Sequence, residues 1–137
     1  MIGISTKSVY AVAALYELGN GSPDKLMKIK EIAKAADIPQ NFLEQILLEL
    51  RKNGLLVSVK GAHGGYRLAK PLSDILLKDI MMILESDAFG NPCKTDDPAL
   101  KLFWKEMNEK TEQLFEVPLS ELNSCQQRVN TTLNYTI

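Results

Sequence analysis

Histidine and cysteine are scarce in this chain. Its 137 residues hold one histidine, His63, and two cysteines, Cys93 and Cys125, which form no Cys-x-x-Cys pair. Such a sparse set excludes a disulfide framework and suits a reducing, cytoplasmic setting. There is no zinc-ligand spacing and no phosphate-binding glycine loop, so the sequence offers no enzyme chemistry and no metal site. Long apolar runs are also missing, since none approaches the roughly 18 residues of a membrane span. The Val9–Tyr16 stretch after Lys7 faintly resembles a signal peptide, but Glu17 closes it and its pattern fits a helix better. What remains is a chain that is 45% hydrophobic and 24% charged, enough to bury the core of one domain.

Net charge is −1, which looks unpromising for a nucleic-acid partner until its distribution is read. Residues 1–71 carry a net +4 and residues 72–137 a net −5. From Leu50 to Ser73 there is no acidic residue, yet Arg51, Lys52, Lys60, Arg67 and Lys70 are all present. A local block of that sign attracts a polyanion whatever the total charge.

Periodicity supplies the elements. Ser5 and Thr6 are good N-caps before a Val9–Leu18 helix that Gly19-Asn20-Gly21 stops, and Gly21-Ser22-Pro23-Asp24 is a loop. Ile29, Ile32, Ala33 and Ala36 mark a second helix over 28–36. Asp37-Ile38-Pro39 turns the chain, with Pro39 suited to the first position of a third helix running from Gln40 to Asn53 and ending at Gly54. That helix has an apolar stripe of Phe42, Leu43, Ile46, Leu47 and Leu50. Its opposite face carries Gln40, Asn41, Glu44, Gln45, Leu48 and Arg51. The period then drops to two through Val59 and resumes at Tyr66 after a glycine-rich tip, which predicts a hairpin. Ile75–Glu85 is a fourth helix, Ser86–Pro98 a loop and Ala99–Glu116 a long helix. Leu119–Asn123 is a short turn, and Gln126–Ile137 is a polar tail expected to fray.

Three helices and a hairpin, with a tight turn between helices two and three, form a winged helix-turn-helix. The fold class is therefore mainly α with a small β-hairpin, plus a long C-terminal helix. Helix three suits the major groove, where Asn41, Glu44 and Gln45 can read base edges. Lys60 and Arg67 flank the wing tip, whose Gly61 and Gly64 let backbone approach phosphate.

Ile4-Ser5-Thr6-Lys7-Ser8-Val9-Tyr10-Ala11, Phe42-Leu43-Glu44-Gln45-Ile46-Leu47, Leu50-Arg51-Lys52-Asn53-Gly54-Leu55 and the run Val59 to Ala69 resemble the Rrf2 family of bacterial regulators, as does Leu77-Lys78-Asp79-Ile80. The resemblance covers about residues 2–122. It implies a homodimer on a partly palindromic operator in double-stranded DNA. Asn41, Glu44 and Gln45 would then lie in the major groove and Lys60 to Gly64 in or beside the minor groove. His63 stands where the family commonly has a small residue, and is expected to meet phosphate or water rather than metal. Cluster-binding members carry three cysteines in the loop before the long helix. Cys93 falls at the first position, but Lys94–Pro98 supplies neither of the others and Cys125 matches none. No cofactor is therefore expected, and Cys93 stands as an ordinary loop thiol or a redox-sensitive one.

On the long helix, Leu100, Trp104, Met107 and Leu114 recur at alternating spacings of four and three, with Thr111 between them. Such a stripe can cover its own domain, and the resemblance favours packing across a two-fold axis. The expected organisation is a DNA-binding unit over 1–72, a connecting helix and sensor-type loop over 73–98, a dimerisation helix over 99–123 and a polar tail over 124–137. The expected function is a DNA-binding regulator, a repressor by preference, which receives its signal from an effector molecule or partner protein. The competing reading is a winged-helix interaction module without DNA, which would not need an acid-free wing.

Overall fold

The computed structural model describes residues 3–22 and 24–136, with side chains to Leu133. Met1, Ile2, Pro23 and Ile137 lie outside it, so the ends of the expected first unit and tail, and part of the Gly21–Asp24 loop, are not described. The chain forms α1 (Thr6–Gly19), α2 (Ile29–Ala36), α3 (Gln40–Lys52), the antiparallel strands β1 (Leu56–Val59) and β2 (Gly65–Leu68), a 3₁₀ turn (Leu72–Asp74), α4 (Leu77–Leu84), α5 (Pro98–Leu114) and α6 (Glu121–Thr136). Three helices followed by a two-stranded wing are the winged helix architecture expected from the sequence. Among the described residues no helix is long and apolar enough to cross a membrane.

The core is built around α1. Ser5 caps it by accepting from the Ser8 backbone N–H at 3.3 Å. Ala11, Ala14, Leu15 and Leu18 recur at helical spacing and are all buried. The two alanines keep the helix surface low, so α2, α3 and α4 all pack against it. Ile32, Leu43, Ile46, Leu47, Leu50, Ile75 and Ile80 complete the cluster with no exposed surface. Each such side chain contributes about 1.5–3 kcal/mol relative to leaving it in water.

The turn between α2 and α3 depends on Asp37, which takes a left-handed φ of 54°, a conformation that Asp tolerates better than most residues. Ile38 drops into the core, and Pro39 is the N-cap of α3 rather than its first helical residue. Beyond Lys52 the chain leaves the helix through Gly54, whose φ of 80° suits glycine.

Further sequence readings need correction. Phe42 is not in the buried stripe: it is 56% exposed, with one side against the Tyr10 ring at 6.3 Å. It sits in the first turn of α3, where the helix has only begun to cover α1. The fourth helix starts at Leu77, not Ile75, because Ile75 and Leu76 are drawn out to pair with the segment after α5. The Leu77 N–H donates to Val117 O and the Leu119 N–H to Ile75 O, each at 2.8 Å.

The expected frayed tail is instead helix α6, continuous from Glu121 to Thr136. Its turns are tied by local bonds that a hydropathy reading does not see. The Thr131 hydroxyl donates to Gln127 O, the Thr132 hydroxyl to Arg128 O and the Gln126 amide to Asn130 Oδ1, each at 2.9 Å. The Tyr16 hydroxyl meets Gln126 Oε1 at 3.0 Å and so holds α6 to α1.

Candidate nucleic-acid interface

The four buried residues of α3 (Leu43, Ile46, Leu47 and Leu50) all lie on the face toward α1 and α2. With 3.6 residues per turn, this seating turns Asn41, Glu44, Gln45, Leu48, Arg51 and Lys52 outward, and all six are exposed. An uncharged amide pair, one carboxylate and two cations thus share a rod of the diameter that a major groove admits. Phe42 joins the N-terminal end of this surface, and the sequence pattern gave no sign that it would.

The wing is held to the same body. Its register pairs Leu56 with Leu68, Val57 with Arg67, Ser58 with Tyr66 and Val59 with Gly65. Met27, just before α2, adds a one-residue third strand: its N–H donates to Tyr66 O at 2.9 Å and its carbonyl accepts from the Tyr66 N–H at 2.8 Å. Gly65 is forced by this contact, since a Cβ there would lie 2.7 Å from Met27 O and φ is 151°. Gly64 is buried, and its N–H is already given to Gly61 O at 3.0 Å. A Cβ at Gly64 would sit 2.0 Å from Val59 O. Gly61, with φ 109°, faces open space.

Lys60, Gly61 and His63 are exposed at the tip, whereas Arg67 is not there. It stands in mid-strand opposite Val57, half-buried, and Nη1 donates to Leu68 O at 3.3 Å. The expectation that Arg67 flanks the tip fails because the strand register carries it two rows back. Lys28 was missed by sequence reasoning, being read only as the start of a helix. Its Nζ donates to Ala62 O at 2.7 Å, tying the tip of the wing to the start of α2.

The long helix α5 divides its stripe. On one flank, Asn108 Nδ2 donates to Phe89 O at 2.7 Å and Phe115 packs on Phe89 at 5.8 Å. Lys78 of α4 meets Glu112 at 3.3 Å and Glu116 at 3.5 Å. The hydrogen bond to Glu112 is the chief cause that holds the Lys78 ammonium above its ordinary pKa. On the other flank Leu100, Phe103 and Leu114 remain open, Leu114 at 74%. Trp104 and Met107 lie between the flanks at 40% and 41%.

In the loop before α5, Cys93 is half-buried. Its N–H donates to Asn91 Oδ1 at 2.9 Å and its Sγ lies 3.6 Å from Thr95 O. Cys125 is exposed on α6 with Arg128 Nη2 at 3.2 Å. Among the described residues no three His, Cys, Asp or Glu side chains gather as metal ligands. A single loop thiol does not fit a three-cysteine cluster.

A family model named Rrf2 and described as an iron-dependent transcriptional regulator matches residues 4–124. The HTH-type transcriptional regulator IscR of Cereibacter sphaeroides is 39% identical over 84 residues, covering 60% of this chain and 54% of that protein. The chain thus spans about half the length of that relative. Among solved structures, T. potens IscR superposes with a TM-score of 0.75 at 30% identity, over 93% of this chain and 90% of that one. CymR, the global cysteine regulator of B. subtilis, gives the same TM-score at 29% identity, over 90% and 98%.

The Lys28 bond to Ala62 O makes the wing's position depend on a residue outside the wing. Lys28→Met should weaken duplex binding about 3- to 10-fold, the equivalent of one ordinary solvent-exposed hydrogen bond, with Lys28→Arg nearer wild type. Amide exchange at Ala62 and His63 should speed up in Lys28→Met. Unchanged exchange with unchanged binding would show that the wing stands without this tie.

Proposed function

Since the chain belongs to the Rrf2 family of transcriptional regulators, we propose that it is a sequence-specific, DNA-binding repressor that grips a partly palindromic operator as a homodimer in the cytoplasm. The observation that carries this reading is one continuous surface. The exposed polar face of α3 runs beside a wing in which Lys60 projects and no acidic residue occurs between Leu50 and Ser73. In this reading Asn41, Glu44 and Gln45 face base edges. Arg51, Lys52, Lys60 and Lys70 face phosphate, as do Gly61 and His63 at the tip. Gly64 and Arg67 support the hairpin rather than touch the groove.

Dimerisation uses the open flank of α5, with Leu100 and Leu114 at its centre and Trp104 and Met107 at its edge. A winged helix read by one protomer covers one half-site, and a two-fold partner supplies the second. The regulator works without a three-cysteine cluster, and its signal enters at the loop before α5 through an effector, a partner protein or oxidation of Cys93.

Duplex binding should be steeply salt-dependent. Four exposed basic residues per protomer neutralise at most eight phosphates per dimer, so log affinity should fall with log salt at a slope of roughly −4 to −7. Promoter DNA in gel-shift titrations across salt concentrations measures it, and salt-independent binding would contradict the reading. Leu114→Glu should yield monomers by sedimentation at micromolar concentration while the domain stays folded, because Leu114 makes little contact within its own chain. A wild type that sediments as a monomer would remove the two-fold model. Anaerobically purified protein should hold no stoichiometric iron or sulfide; brown protein whose colour is lost on Cys93→Ala would restore a cluster sensor.

A further inference from the structure

A cavity of about 950 Å³ opens between the first turn of α1, the end of α4, the loop that follows and the inner flank of α5. Volumes of this order belong to small-molecule sites. Glu85 forms part of its wall. One oxygen, Oε1, accepts from the Ser5 backbone N–H at the start of α1. The other, Oε2, is shut away from solvent and has no hydrogen-bond donor among the described residues. A buried carboxylate oxygen without a donor is costly, so a side-chain rotation that delivers it to one is favoured.

The rest of the wall narrows the choice of donor. Asp87, the second carboxylate, is exposed on the loop, where its backbone carbonyl accepts from the Gly90 N–H. Of the two, Glu85 is the one with a buried oxygen that lacks a donor. Lys7 and Lys94 also line the cavity, and neither makes an ion pair among the described residues. Trp104 and Met107 add an apolar wall from α5. One unsatisfied carboxylate, two unpaired cations and an apolar side match a small molecule carrying both charges.

We propose that this cavity binds a zwitterion of the amino-acid class, its ammonium paired with Glu85 and its carboxylate with Lys7 and Lys94. The proposal deepens the regulatory reading above, because the loop that carries the signal forms one wall and a dimerisation helix forms another. A ligand drawn to Glu85 would compete with the Ser5 contact that joins this loop to the start of α1.

Calorimetry on the protein without DNA tests it with each of the twenty common amino acids as probe. The amine and the acid derived from any binder serve as controls. At least one amino acid should bind. Glu85→Gln and the Lys7→Ala/Lys94→Ala pair should each weaken it at least about tenfold, as should removal of either charged group from the ligand. If Glu85→Gln misfolds, the lysine pair still decides, since both side chains lie outside the core. Absence of binding by every amino acid, equal affinity in the variants, or equal affinity of the bare amine or acid would overturn the site. Duplex binding is measured separately. A protein that takes the zwitterion but no duplex would sink the repressor reading and leave this site standing.

Discussion

Everything the molecule offers to a partner depends on how α3 is seated. Leu43, Ile46, Leu47 and Leu50 are wholly buried against α1 and α2, and the alanines of α1 allow the two helices to approach. Because those four occupy one side of the helix, the rotation of α3 is fixed to within a fraction of a turn. A polar substitution among them would remove a core contact and also turn Asn41, Glu44 and Gln45 away from the surface they share. Stability and recognition are therefore the same constraint at this helix, viewed from its two faces.

The wing obeys the same logic through hydrogen bonds rather than apolar packing. A two-stranded hairpin alone is marginal in water. Here the Met27 and Tyr66 backbones exchange two bonds, and Lys28 holds the tip at Ala62 O. Both anchors stem from the residues that open α2, so the wing is referenced to the helix-turn-helix itself. At the other end, the paired segments around Leu76 and Pro118, with the Lys78 contacts to Glu112 and Glu116, fix α5 relative to α4. Helix α4 in turn packs against α3.

Much of this was legible in the sequence, for physical reasons. The 3.6 period of α1 and α3 and the switch to a period of two in the wing are imposed by burial on one side, so hydropathy reveals them. The helix-turn-helix and wing followed from those patterns, the family resemblance from motifs such as Phe42–Leu47 and Val59–Ala69, and both agree with the fold. Where burial does not govern, the pattern was silent. Phe42 is apolar yet exposed, and only the geometry of the first turn of α3 explains it. Helix α6 is held by threonine, glutamine and arginine bonds that read as polarity. Arg67 lies where strand register puts it, and register needs the Val59–Gly65 closure to be known. Lys28 and Glu85 act through partners 34 and 80 residues away, which no local window contains.

The central claim, that the outer face of α3 reads bases, meets its most direct test in a selection of duplexes from a random pool, run in parallel with wild type and Glu44→Ala. A carboxylate that accepts from a cytosine amino group discriminates by about 1–3 kcal/mol at one position. The account predicts that both proteins enrich the same two-fold related site and that Glu44→Ala loses preference at one symmetric base pair alone. Identical sequence preferences in the two pools, or a uniform loss at every position, would contradict it.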